Sequence, residues 1–296
     1  MVVTILGTNG FLSSAIARYC NKKGYELHLY GRSEQRDCTS DSFTTIDLMD
    51  GELPIGEISK SDLIIYAIGA GIQSNLHDSC ELIYTLNVTV PVKICNQLRA
   101  VGYKGKFITF GSVFEMGETH DEKFFSEEDI QTSLAVAPND YTASKRMLTR
   151  FIGSYKHDFT HWHFIIPTIY GEKENPKRLI PYTVNALRNG EDLHFTAGDQ
   201  TRQYLYVQEV PLIIDQAFEK NIPSGIYNIQ GKETLTVKEL VTLVHHAMGK
   251  EVDEGCFGTA ARADIGMKYL ALDGRKLSNA IGFEASTKIE DVIERY

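Results

Sequence analysis

Tyr141 and Lys145 are the residues whose types and spacing most directly suggest chemistry. On a helix, residues four apart project from one face. A nearby ammonium group lowers the pKa of a phenol, which lets the tyrosine exchange a proton with an alcohol or carbonyl at neutral pH. An apolar segment ending at Gly111 leads into Ser112, which brings a hydroxyl group to the end of a predicted strand. The pattern predicts acid–base chemistry at the edge of an α/β sheet.

A glycine-rich turn follows the first apolar segment and precedes a helical pattern. It reads Gly7-Thr8-Asn9-Gly10-Phe11-Leu12-Ser13, with the spacing GxxGxxS. Backbone N–H groups at the start of a helix bind pyrophosphate, and the first strand–turn–helix unit is where dinucleotides bind. Turns of this kind also occur for geometric reasons alone. Its position favours a dinucleotide site, whose predicted members are Gly7, Asn9, Gly10, Phe11 and Leu12.

The end of the second predicted strand bears on the choice of cofactor. An NAD-preferring site places Asp or Glu there to bind the ribose hydroxyls, whereas this chain has Arg32 and Ser33. A guanidinium and a hydroxyl group can pair with a 2′-phosphate. We therefore predict NADP, as NADPH, with NAD as the alternative. The non-functional interpretation of Arg32 is a solvated loop charge.

Strand-like and helical segments alternate over residues 1–166. This alternation predicts an α/β fold with a Rossmann-like, doubly wound parallel sheet that binds NAD(P). Residues 167–296 lack this regular alternation and are in part charged and irregular. We expect them to form a smaller α/β C-terminal substrate lobe, with some segments returning to the first domain. We also predict one long helix over 80–100, which contains Pro91, and a C-terminal helix from Lys288 to Tyr296.

The composition narrows the possible partners. The 296 residues carry 30 Lys and Arg against 39 Asp and Glu, a formal net charge of -9. Binding to nucleic acid or to an anionic membrane usually requires an excess of positive charge, which this composition does not provide. The five cysteines include no CxxC pair, so we expect neither a disulfide framework nor a metal site. With no apolar segment long enough to span a membrane and no secretory signal pattern, we expect a cytoplasmic protein.

Taken in order, the motifs resemble those of the extended short-chain dehydrogenase/reductase superfamily, in its nucleotide-sugar epimerase, dehydratase and reductase branch. The resemblance covers essentially the whole length. Besides the glycine turn and the Tyr–Lys pair, the matching segments are 62–69, Leu86-Asn87-Val88, Phe110-Gly111-Ser112 with Gly117, Ile169-Tyr170-Gly171, and 198–207.

The resemblance implies a role for each matching residue. Ser112 would hydrogen-bond the substrate oxygen, Tyr141 would transfer the proton, and Lys145 would also hold the nicotinamide ribose. Arg202 would clamp the pyrophosphate of a nucleotide-sugar substrate, with Thr168 in the sugar pocket. The resemblance further implies a homodimer through helices 81–99 and 141–155. The remaining implied cofactor contacts are Asp47, Leu48, Ile68, Gly69, Asn87 and Pro167.

Departures from the family pattern narrow the reaction. Dehydratases carry an Asp-Glu pair directly after the hydroxyl residue, where this chain has Val113 and Phe114. Epimerising reductases carry Cys two residues after the serine and His after the Tyr-Gly, where this chain has Phe114 and Glu172. We therefore predict an NADPH-dependent reductase of a 4-keto-6-deoxy nucleotide sugar. The alternatives are an NAD-dependent nucleotide-sugar 4-epimerase and a nonenzymatic NADP-sensing protein.

Overall fold

The computed structural model describes residues 1–72, 77–156, 158–260 and 267–296. In chain order the strands are β1 (Val2–Leu6), β2 (Glu26–Gly31), β3 (Ser42–Thr45), β4 (Leu63–Tyr66), β5 (Lys106–Ser112), β6 (Phe124–Phe125), β7 (Thr160–Ile166), β8 (Thr168–Tyr170), β9 (Thr201–Tyr206), β10 (Gly225–Asn228), β11 (Glu233–Thr236) and β12 (Tyr269–Leu272). The helices are α1 (Phe11–Lys23), α2 (Ile55–Ile58), α3 (Cys80–Tyr84), α4 (Val90–Ala100), α5 (Glu127–Thr132), α6 (Asp140–Ser154), α7 (Leu179–Asn189), α8 (Glu209–Glu219), α9 (Val237–Ala247) and α10 (Arg275–Ile281).

The larger sheet has seven strands in the order β10-β7-β5-β4-β1-β2-β3. All of its strand pairs are parallel. Every residue of β4 is buried, as expected for a strand covered by helices on both faces. The predicted α/β fold with a doubly wound parallel sheet is confirmed.

The strand order reverses beside β1, which lies between β2 and β4. At such a reversal the loops that leave the carboxyl ends of the strands diverge, and ligands bind in the crevice between them. The turn at Gly7 follows β1, Ala67 follows β4, and Ser112 ends β5. The topology therefore brings the glycine turn and the serine to one edge of the sheet.

A smaller mixed sheet lies in the C-terminal part, with the order β11-β9-β12-β6 and β8 beside β9. Its core includes Ile180 and Val184 of α7 and Leu240 of α9. The two parts exchange segments, since β10 pairs with β7 in the larger sheet and β6 pairs with β12 in the smaller one. The proposed boundary at residue 166 stays a prediction.

The predicted helix over 80–100 is interrupted. Residues Thr85–Thr89 form a π-helical turn between α3 and α4. Pro91 lacks the N–H that would bond to the Asn87 carbonyl four residues earlier, and turns of this kind are frequent at functional sites. This π-helical turn contains Asn87, whose side chain is buried near the edge of the sheet.

The predicted C-terminal helix from Lys288 to Tyr296 is wrong, because only Ile293–Arg295 form a short 3₁₀ turn. The apolar spacing of Ile289, Val292 and Ile293 serves burial in the C-terminal core. The backbone N–H of Ile289 donates to the Glu233 carboxylate at 2.6 Å. So short a segment has little helical stability alone, and these tertiary contacts decide its conformation.

Among the residues that the structure describes, no helix is both long and apolar enough to cross a membrane.

Candidate active site

Ser112, Tyr141 and Lys145 meet at the carboxyl edge of the larger sheet. Ser112 ends β5 and caps the 3₁₀ turn Val113–Met116. Tyr141 and Lys145 lie in the first turns of α6, which Asn139 caps by accepting a hydrogen bond from Thr142 N at 2.9 Å. All three predicted catalytic side chains are buried. The structure therefore brings the predicted catalytic residues together.

The Tyr141 phenol lies in an apolar setting. Burial raises its pKa to about 12, and hydrogen bonding with the Ser112 side chain opposes this rise. The Phe114 ring contacts the Tyr141 ring edge-on, with centroids 6.5 Å apart. The tyrosine is thus held in its protonated form, ready to donate, with Ser112 beside it.

Lys145 is equally enclosed. Burial lowers its pKa to about 8, and the charge of Glu115 opposes this fall. Its Nζ donates to Phe110 O at 3.0 Å and lies 6.0 Å from the Tyr141 ring centroid. Within the described ranges this carbonyl is its one hydrogen-bond acceptor, so two of its three donors stay available for ribose hydroxyls.

Asn87 fastens the loop after β4 to α6. Its amide accepts from Ala70 N at 3.0 Å and donates to Ala70 O at 2.9 Å and to Ser144 Oγ at 2.9 Å. A Cβ at Gly69 would lie 3.4 Å from Asn87 Oδ1 and 3.7 Å from Lys145 Nζ. Exposed Gly69 therefore leaves open surface directly beside the lysine.

The glycine turn fits a dinucleotide pyrophosphate. Gly10 is the N-cap of α1, and among the described residues no side chain caps the first N–H groups of the helix, so these donors are free to bind an anion. Gly7 has φ +103°, and a Cβ there would lie 2.8 Å from Ile68 Cγ1. Only glycine lets the turn approach the loop after β4 this closely. Phe11 and Leu12 are half-buried in the first turn of α1.

The predicted adenosine end of the cofactor site lies at the surface. The Asn9 amide donates to Ser33 Oγ at 2.9 Å and to Glu34 O at 2.9 Å, so Asn9 has only its backbone to offer a phosphate. Arg32 and Ser33 are exposed. In the loop that follows β3, Asp47 is exposed and the neighbouring Leu48 is buried.

The C-terminal part adds cations to the same edge. The Arg202 guanidinium lies 6.0 Å from the centroid of the Phe114 ring and donates to Thr201 O at 2.7 Å. Arg178, which directly precedes α7, pairs with Glu174 at 3.3 Å, and its charge acts on Tyr141. Pro167 is buried and Thr168 half-buried just after β7.

Sequence reasoning missed Arg178 and Glu115. A signal for Arg178 exists, because a cation directly before a helix opposes the helix dipole and suggests another use. Glu115 gives no such signal, since its complete burial depends on packing against α6 and β7. Among the described residues, no group of three or more His, Cys, Asp or Glu could hold a metal ion.

Comparison with known proteins agrees with this geometry. A low-salt glycan biosynthesis protein of Haloferax volcanii is 25% identical over 317 aligned positions, which cover 99% of this chain and 96% of that protein. The dTDP-glucose 4,6-dehydratase of Bacillus anthracis in complex with NAD superposes with a TM-score of 0.81, at 18% identity, over 100% of this chain and 94% of that one. The UDP-N-acetylglucosamine 4-epimerase of Methanobrevibacter ruminantium gives 0.79 at 18% identity, over 99% and 95%.

A family model also matches more than half of the chain. The sequence model of the NAD dependent epimerase/dehydratase family matches residues 3–229, which include the glycine turn, Ser112, Tyr141 and Lys145. The chain therefore belongs to the NAD-dependent epimerase/dehydratase family, whose extended short-chain dehydrogenase/reductase enzymes use NAD(P) and act on nucleotide sugars.

Proposed function

We propose that this protein is an NADPH-dependent reductase that converts the 4-keto group of a 4-keto-6-deoxy nucleotide sugar to an alcohol. One observation carries the proposal. Ser112, Tyr141 and Lys145 converge at the sheet edge, while the side chain that packs against Tyr141 is Phe114 rather than a carboxylic acid. The site is equipped for proton transfer to an oxygen. Directly after Ser112, where dehydratases of the family carry an Asp-Glu pair for eliminating water, this chain has Val113 and Phe114.

In the proposed reduction, Ser112, Tyr141 and Lys145 have different roles. The nicotinamide, when bound, supplies a hydride to the keto carbon. Ser112 donates a hydrogen bond to the keto oxygen and polarises it, and Tyr141 donates the proton that completes the alcohol. The Lys145 ammonium stabilises the tyrosinate left behind, since an opposite charge nearby favours the ionised phenol.

Two arginines suit the anionic part of the substrate. A nucleotide-sugar diphosphate carries negative charge, and the protein as a whole is acidic. Arg202 and Arg178 therefore provide the local cations that such a ligand requires. The Phe114 face between Arg202 and Tyr141 offers an apolar wall for the deoxygenated C6 methyl group.

The preference for NADPH depends on Arg32. We expect Arg32→Ala to raise the KM for NADPH roughly tenfold and to leave that for NADH unchanged, because the guanidinium would pair with the 2′-phosphate. Steady-state kinetics with both cofactors checks this result. Arg36→Ala, which removes another exposed arginine of the same loop, is the matched control. Equal effects on both cofactors would show that Arg32 is only a loop charge.

A nucleotide-sugar 4-epimerase is the second candidate. It would use the same tyrosine and lysine with a retained NAD, and the solved relative from Bacillus anthracis is described with NAD. To separate the two, freshly purified protein is denatured and the released cofactor assayed, while NADPH oxidation is followed with a panel of 4-keto-6-deoxy nucleotide sugars. Oxidation with one sugar supports the reductase. Stoichiometric NAD without NADPH oxidation supports the epimerase.

We also propose a homodimer built on α4 and α6. These helices contact each other, and large apolar side chains stay exposed on or next to them, Met147 at 51% and Val101 at 52%. We expect light scattering to give twice the chain mass of 33.2 kDa. Met147→Lys should shift the protein toward monomer, whereas a monomeric wild type would refute the proposal.

A further inference from the structure

A network of buried polar side chains lies behind the catalytic residues and is not used by the mechanism above. Each member is at most 1% exposed. From α4 to the 3₁₀ turn, this buried polar network consists of Cys95, His161, Thr109, His163, Thr149 and Glu115. Thr109 Oγ1 lies 2.9 Å from His161 Nε2 and 2.8 Å from His163 Nδ1. Thr149 Oγ1 lies 2.8 Å from His163 Nε2 and faces the Glu115 carboxylate.

The hydrogen-bond donors of the network can all point the same way along it, towards Glu115. Burial lowers the pKa of His163 to about 3, so its ring is neutral and carries one N–H. Placing that proton on Nε2 lets His163 donate to Thr149 and accept from Thr109. The Thr149 hydroxyl can then direct its own proton towards the carboxylate. Among the described residues, Glu115 Oε2 is buried without a hydrogen-bond partner, so it is the open acceptor at the end of the network.

Glu115 also fixes the end of β5. Its Oε1 accepts from Ser112 N at 2.7 Å. A Cβ at Gly111 would lie 2.6 Å from both Glu115 Oε1 and His163 Nε2, so the carboxylate can approach the strand only because that residue is glycine. The Arg146 guanidinium donates to the Glu115 carbonyl at 2.9 Å. The turn that carries the catalytic serine is thereby tied to α6 and β7.

The charge of Glu115 acts on Lys145 across this interior. Burial lowers the pKa of Lys145 to about 8, and Glu115 opposes that fall. Burial raises the pKa of Glu115 to about 7, while the Ser112 N–H, the nearby Thr149 hydroxyl and the charge of Lys145 oppose that rise. The carboxylate therefore forms at a lower pH than the one at which Lys145 loses its proton.

The other titratable groups around Glu115 are accounted for. From α6, Arg146 and Tyr141 face it along with Lys145, and His163 faces it from β7. The neighbouring α5 and β12 direct their groups elsewhere. Glu127 accepts from Asn228 N, and Tyr269 packs against the Phe124 ring.

We propose that Glu115 is a positioning residue of the active site: its carboxylate holds the Ser112 backbone N–H at the end of β5 directly, and its charge faces Lys145 from the buried interior behind the site. The inference rests on the proposed proton transfer by Tyr141 and Lys145. It holds equally for the reductase and for the epimerase.

The direct test is a titration of Lys145 in the full-length protein labelled with [¹³Cε]lysine, its resonance assigned by loss in Lys145→Met. Glu115→Gln keeps an oxygen that can accept from Ser112 N and removes only the charge. We expect the pKa of Lys145 to fall by about one unit in this variant. An unchanged Lys145 pKa would overturn the proposal, and because no substrate is needed, the result is independent of which reaction the enzyme catalyses.

Glu209→Gln is the matched control. This buried carboxylate likewise accepts from a backbone N–H, that of Ser286 at 2.7 Å, but it belongs to α8. We expect its substitution to leave the Lys145 pKa in place, and equal shifts in both variants would mean a general structural effect and overturn the proposal. Should Glu115→Gln fail to fold, Thr149→Val is the second variant, because it removes the hydroxyl group that faces the Glu115 carboxylate. We expect this change to raise the pKa of Glu115. The pKa of Lys145 should then fall by a smaller amount than in Glu115→Gln.

The same variant has a kinetic signature. With whichever substrate turns over, we expect the basic limb of the kcat profile of Glu115→Gln to move to lower pH by a similar shift, with the sugar KM within about twofold of wild type. A purely structural role would lower kcat equally at all pH values.

Discussion

Tyr141→Phe is expected to lower kcat by roughly 10³-fold while leaving cofactor affinity within about twofold. The substitution removes only the proton donor. The ring stays in the pocket against Phe114, and the glycine turn that would hold the pyrophosphate is not altered. Steady-state turnover and fluorescence titration with NADPH measure the two quantities separately.

A matched control is Tyr103→Phe, which removes a phenol that is equally buried but bonded to Ser61 O at 3.0 Å, away from the site. It should cost some stability and leave kcat unchanged. Undiminished turnover in Tyr141→Phe would mean that another group donates the proton and that the mechanism is wrong.

Lys145→Met is expected to lower kcat by roughly 10²-fold or more and to weaken cofactor binding as well. Methionine fills the buried space, but it supplies neither the charge that stabilises the tyrosinate nor the donors for the ribose hydroxyls. Both kcat and the KM for NADPH should therefore change, unlike in Tyr141→Phe.

The pH dependence has the same origin. Burial lowers the pKa of Lys145 to about 8. Because the ammonium is the active form in the proposed mechanism, we expect kcat to fall as the pH rises through about 8. In Lys145→Met that limb should disappear. Lys276→Met is the control. Lys276 also donates to a backbone carbonyl, Ile226 O at 2.7 Å, and lies near an aromatic ring, 4.5 Å from the Tyr227 centroid, but it is exposed and lies outside the site. A comparable loss in Lys276→Met would show that the effect is not specific to the active site.

Local patterns carried most of the prediction of the fold and of the catalytic residues. The alternating apolar segments and Gly7 lie within short stretches whose geometry is set locally, and Tyr141 and Lys145 share one helix. Their convergence with Ser112 follows from a general rule, that the carboxyl ends of parallel strands share one edge. These parts of the site needed no knowledge of distant contacts.

What could not be predicted depends on contacts between distant segments. Glu115 is the one charged residue of the short turn Val113–Met116, and its burial near Thr149 and His163 depends on contacts with distant segments. In the same way, the spacing of Ile289 and Val292 suggests a helix, yet tertiary contacts hold that segment in turns. The roles of Arg32 and Arg178 depend on bound anions, which a sequence pattern does not specify.

The most direct test of the central claim follows the transferred hydrogen. The wild-type protein is incubated with a 4-keto-6-deoxy nucleotide sugar and NADPH deuterated at the transferable position of the nicotinamide, and the product is examined by NMR and mass spectrometry. We predict one NADPH oxidised per sugar alcohol formed and one deuterium at C4 of the product. No NADPH oxidation, with tightly bound NAD and an unlabelled C4 epimer formed from a 4-hydroxy nucleotide sugar, would contradict the reductase and identify an epimerase instead.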